Sequence, residues 1–201
     1  SQAMVLAALE HKPDSYLCKP YSINILLKRL NKCMMKKQSM HSIYQALEDN
    51  DKDLTLSLTN EAIANNTPYI IEGLGIKSRQ LFELKQFSLA QEIYLDYQNE
   101  QNCEWASIGL GKIALSNNNF LDAETIFKSI IAEQPLYLPA YDWLAETYKK
   151  KCNKIFAEDI LEQAIQLSPR SVGRLKKYAG LCFENEHYEK AASAYQHVYK
   201  L

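Results

Sequence analysis

Glycine and proline are scarce, six of each in 201 residues, and most prolines fall between apolar-periodic segments, which favours an all-α chain. Long apolar runs are missing too. The longest, Ala3 to Leu9, is too short to span a bilayer and has no basic leader before it. Neither membrane insertion nor export is therefore expected, and the cytoplasm is the default. No C-x-x-C pair occurs: Cys18, Cys33, Cys103, Cys152 and Cys182 are odd in number and scattered, as reduced structural thiols are. Neither sign of charge dominates, with 23 basic and 24 acidic residues and a net charge of −1. A global pull towards nucleic acid, membrane or an acidic partner is excluded.

Catalytic and metal patterns are lacking as well. His11, His41, His187 and His197 are too dispersed for metal spacing or for a nucleophile–base pair, and His187 reads as a solvated turn residue. Gly73-Leu74-Gly75 lacks the further glycine and the preceding strand of a phosphate cradle. Glu158-Asp159 near a helix start, and Lys149 to Lys151 with Lys154 at a helix end, are where the helix macrodipole favours such charges. Cys152 beside those lysines reads as a plain surface thiol. No enzyme activity, metal or cofactor is expected.

What the chain does contain is one unit written three times. Ala123, Ala157 and Ala191 are spaced by 34 residues. The same offset links Leu110, Leu144 and Tyr178; Gly111, Ala145 and Ala179; Phe127, Leu161 and Tyr195; and Pro135 and Pro169. Self-similarity at that period predicts stacked helical hairpins, each unable to bury its apolar face alone. The small residues let paired helices approach closely, and the large ones fill the space between hairpins.

These residues resemble the tetratricopeptide repeat. The best copy is 138–171, with Tyr141, Leu144, Ala145, Tyr148, Ala157, Leu161, Ala164 and Pro169 at family positions. Copies at 104–137 and 172–201 flank it, and degenerate copies are read at 38–70 and 71–103; the latter keeps Leu74, Leu81, Phe87, Ala90 and Tyr94 but has Lys77 at a large apolar position. Thr67-Pro68 is read as the start of its first helix. The resemblance implies an all-α, right-handed superhelix over 38–201, about ten helices in five hairpins, whose concave face binds another protein or peptide. Its groove positions carry over to Glu72, Arg79, Trp105, Ile108, Lys112, Leu115, Asp142, Glu146, Lys149, Lys176 and Phe183. Asp142 and Glu146 stand where carboxylate-clamping members have lysine and asparagine, so a C-terminal carboxylate is not the expected ligand. Trp105 reads either as an interface anchor or as packing against the preceding hairpin.

Residues 1–37 do not follow the repeat. A helix over Ala3 to Glu10, a turn around Pro13, a short strand over Ser15 to Cys18, the break at Lys19-Pro20 and a helix capped by Ser22 resemble the end of a response-regulator receiver domain. The resemblance implies that Lys19 is the phosphoryl-contacting lysine, that Tyr16 is the aromatic switch, and that the Lys-Pro bond is cis if the strand is held. Only 18 residues precede Lys19, so this reads as a fragment of a longer protein trimmed within its receiver, vestigial for phosphoryl transfer. The basic face of Ser22 to Lys37 (Lys28, Arg29, Lys32, Lys36 and Lys37) could meet nucleic acid, but no stacking aromatic or motif accompanies it. A solvated joint between receiver and repeats is the plainer reading. The combination implies an adaptor binding a sensor kinase or a second response regulator. The alternative is a homodimer through the helix–strand–helix face.

Overall fold

The computed structural model describes residues 2–10, 13–101 and 103–201. Among these residues there are twelve helices and no strand. They are α1 (Gln2–Glu10), α2 (Ile23–Ser39), α3 (His41–Glu48), α4 (Lys52–Ala64), α5 (Ile70–Glu83) and α6 (Phe87–Tyr97), followed by α7 (Glu104–Ser116), α8 (Phe120–Glu133), α9 (Leu138–Lys150), α10 (Lys154–Leu167), α11 (Val172–Glu184) and α12 (Tyr188–Lys200). None is long and apolar enough to cross a membrane. The chain forms two compact units. One comprises α1 with Leu110–Leu201, and the other Pro13–Gly109.

In the unit of Leu110–Leu201 the repeat is visible as packing. Ala123, Ala157 and Ala191 are buried at 0%, 0% and 3% exposure, and the large position one turn on holds Phe127 at 0% and Leu161 at 2%. Tyr195, at the same place in the last copy, is 49% exposed. Gly111 shows why the small position exists: a Cβ there would lie 2.4 Å from the Phe127 ring, closer than any side chain tolerates. Consecutive helices pack as neighbours from α8 through α12, with Pro135 and Pro169 in the connections where the next helix is reset.

The turns inside the hairpins share a device that leaves no sequence trace. Lys85, Asn118, Cys152 and Glu186 all adopt left-handed backbone, with φ of 60°, 60°, 57° and 64°. In each case the next N–H bonds back five residues, from Gln86, Asn119, Asn153 and His187 to the carbonyls of Leu81, Ala114, Tyr148 and Cys182. This is the Schellman closure, made here without glycine. Its recurrence at Lys85 gives the degenerate copy the same turn as the three clear ones.

In the unit of Pro13–Gly109, Met40, Ile43 and Ile76 form a buried cluster with Tyr44, Leu47, Leu58, Ala62 and Tyr69 packed around it. The helix expected to start at Thr67-Pro68 begins instead at Ile70. Among the described residues the Thr67 Oγ1 has no hydrogen-bond partner, so it does not cap α5, while its N–H closes α4 on the Ala62 carbonyl beyond the left-handed Asn66.

The strand expected over Ser15–Cys18 does not form. A strand needs a neighbour to share its hydrogen-bond ladder, and no strand occurs among the described residues. This segment instead runs beside α2: Arg29 donates to the Tyr16 carbonyl and to the Ser15 hydroxyl, and Lys37 pairs with Asp14 at 3.3 Å. The turn read around Pro13 falls partly outside the described residues. Lys19–Pro20 is cis, and Ser22 caps α2 by accepting from the Ile25 N–H.

Candidate protein-interaction sites

The residues singled out from sequence divide between the two units. Tyr16, Lys19, Glu72, Arg79, Trp105 and Ile108 lie in Pro13–Gly109; Lys112, Leu115, Asp142, Glu146, Lys149, Lys176 and Phe183 lie in Leu110–Leu201. Tyr16 is half-buried and Lys19 exposed. Ile108 and Leu115 are buried, at 8% and 3% exposure.

Three of these residues are brought together. Glu72, Ile76 and Arg79 recur at helical spacing on one face of α5, and Trp105 from α7 stands beside them. With Lys32, Tyr44 and Tyr69 they line an open depression of about 680 Å³. The indole lies beside Gly75 of α5, where a Cβ would meet the ring at 3.4 Å, an ordinary van der Waals contact. Tyr97 stacks on the indole at 6.1 Å between centroids, and Tyr94 meets it edge-on at 6.0 Å. Trp105 is therefore half-buried: it packs against the preceding hairpin and also lines the depression.

Charge in the depression is uneven. Glu72 is satisfied twice, accepting from the Tyr44 hydroxyl and pairing with Lys36 at 2.6 Å. Burial, and then this bond to the carboxylate, push the Tyr44 hydroxyl well above its ordinary pKa. Lys32 and Arg79 are exposed and carry no ion pair among the described residues. The surface thus offers apolar and aromatic area beside uncompensated positive charge, which suits a segment with an apolar anchor next to a carboxylate.

In the other unit, α9 presents Asp142, Glu146 and Lys149, and Lys112 sits over the Trp143 ring at 5.0 Å. Asp142 accepts two bonds from Arg174, both at 2.9 Å. Lys176 is exposed, and Phe183 is 62% exposed with an edge contact to Tyr188. Sequence reading missed Arg174, Trp143 and Tyr44, and placed Lys32 only on the basic face of α2. A signal for Arg174 existed: it occupies the repeat position held by Ala106 and Ala140.

Two charge clusters link side chains that the sequence left apart. Glu158 is 1% exposed and is held by Asn185, His187 and Lys190 at 2.7, 2.8 and 3.1 Å, so neither it nor His187 is a free surface group. Burial opposes its charge, but these three partners keep its carboxyl below the usual range. Lys151, at the C-terminal end of α9 where the macrodipole favours it, also pairs with Glu124 at 2.7 Å. Among the described residues, no three His, Cys, Asp or Glu side chains are grouped to hold a metal ion.

No known family profile matches the chain, and no curated protein does. Solved structures do. A tetratricopeptide repeat protein from Parabacteroides merdae superposes with a TM-score of 0.66 at 15% identity, over 99% of this chain and 77% of that one. pilF of Pseudomonas aeruginosa gives 0.65 at 12%, over 82% and 75%. MamA of Desulfovibrio magneticus, residues 41 to the end, gives 0.60 at 17%, over 82% and 93%. At these identities the likeness is one of fold, and the fold it establishes is that of the tetratricopeptide-repeat proteins.

Proposed function

We propose that this chain is a protein-interaction scaffold: the repeat-bearing output of a two-component response regulator, with residues 1–37 as the receiver end and 38–201 as the repeats. It holds a signalling partner, a sensor kinase or a second regulator, on the first helices of its hairpins. The observation that carries the scaffold reading is the depression around Trp105, where an indole and two phenols adjoin Lys32 and Arg79, neither of them in an ion pair among the described residues. The receiver reading is supported by the order of α1, Tyr16-Leu17-Cys18-Lys19-Pro20 and α2. Trp105→Ala and Arg79→Glu are expected to weaken partner capture from cell extract at least tenfold, as anchor truncations do. Equal recovery by the unaltered chain and both variants would defeat the assignment.

A second reading, self-association, is favoured by α2. This helix has no buried residue, and Ile23, Leu27, Leu30 and Met34 are 74%, 49%, 50% and 60% exposed. An apolar stripe of this kind marks an interface when it is contiguous. Sedimentation of the chain carrying Leu27→Lys and Leu30→Glu is expected to show a smaller species than the unaltered chain. Identical sedimentation would remove this reading.

A further inference from the structure

The helix α1 belongs by sequence to the receiver-like end, yet it packs with Leu110–Leu201. Among its described side chains Leu6 is the buried one, at 8%, set against Leu138, Tyr141 and Ala164. Met4 and Leu9 are 63% and 47% exposed. One turn beyond Leu6, the Glu10 carboxylate accepts from Arg174 Nη1 at 2.6 Å and from the Ser168 hydroxyl at 3.1 Å.

Both donors are built into the unit: Arg174 is 5% exposed and Ser168 0%. Asp142 takes Nε and Nη2 of the same guanidinium. The remaining nitrogen, Nη1, faces α1. A buried guanidinium left with part of its fork unpaired is costly, so this site calls for a second carboxylate. The apolar contact of Leu6 fixes where along an incoming helix that carboxylate must lie.

We propose that this face of α9, α10 and α11 is a docking site for a short apolar helix carrying a glutamate four residues after a leucine. α1 is its resident occupant, and a partner helix of the same chemistry displaces it. Among its described side chains, α1 offers this face one buried leucine and one carboxylate, a hold of few contacts, so α1 is suited to exchange. The proposal rests on the scaffold reading only in that this unit receives a protein; it is independent of the depression around Trp105.

The probe is an end-blocked, fluorescent peptide of the α1 sequence, QAMVLAALE, titrated into the full chain and followed by anisotropy. A chain carrying Leu6→Asp and Glu10→Lys, which evicts α1, is expected to bind it at least tenfold more tightly than the unaltered chain. The same peptide with its glutamate changed to lysine should bind the evicted chain at least tenfold less tightly. Equal affinity in either comparison overturns the proposal. Should the evicted chain fail to fold, unaltered ¹⁵N-labelled chain with excess unlabelled peptide decides. Shifts in the amide signals of residues 4–10 support displacement, and unmoved signals overturn it. Partner capture that still depends on Trp105 would leave the scaffold reading standing whichever way this result falls.

Discussion

Phe127→Ala is expected to lower the unfolding free energy by about 3–5 kcal/mol, and Tyr195→Ala by less than about 1 kcal/mol. Both residues occupy the same place in the 34-residue unit. Phe127 is 0% exposed and so close to Gly111 that no Cβ would fit between them. Removing its ring leaves a cavity that backbone already in contact cannot close. Tyr195 is 49% exposed, so removing its ring leaves no enclosed cavity. Denaturant unfolding of the two variants checks this, and similar losses would mean that the copies do not stack in the register described.

The second large effect is acid lability. Glu124 is held down to about 2 from its ordinary 4.5, chiefly by Lys128 and Lys151, with the Tyr148 hydroxyl assisting and burial opposing. Glu158 is shifted in the same direction. A carboxyl whose pKa is lower in the folded state contributes stability that is complete above the unfolded value. That stability is lost as pH falls through the folded one. The window for Glu124 therefore runs from about 4.5 down to about 2. Its contribution is about 1–2 kcal/mol once solvent screening of the half-open lysines is allowed for. Glu124→Gln should lower stability at pH 7 by that amount and flatten the slope between pH 5 and 2. A variant that keeps the steep acid limb of the unaltered chain would show that this cluster does not set it.

How much of this was legible in the sequence follows from what each feature requires. The hairpin register was, because close helix approach admits only Gly111, Ala145 and Ala179, and repeated burial demands Phe127 and Leu161. The turns were not, because Lys85, Asn118, Cys152 and Glu186 share a backbone conformation but no side-chain chemistry. The Ser15–Cys18 strand was misread because local β-propensity says nothing about whether a ladder partner is present. The start of α5 was misplaced because a capping residue type does not show where its side chain reaches: the Thr67 Oγ1 makes no hydrogen bond among the described residues.

Among the candidate interaction residues, helical spacing alone places Glu72 and Arg79 on one face of α5. That Glu72 is spent on Tyr44 and Lys36 while Arg79 is left open depends on pairings across 28 and 36 residues of chain, which no local pattern encodes. Arg174 marks the opposite case. A long cation at a position otherwise held by alanine departs from the repeat, and such departures point to a site more directly than agreement does.

The central claim is that the open side of α5 exists to hold another protein. It is tested most directly by placing a photo-crosslinking amino acid at position 79, and in a second chain at position 89, an exposed site on α6 that does not line the depression. Illumination in cell extract should give a discrete adduct from position 79 and none from position 89. Adducts of equal yield from both, or from neither, would contradict the account.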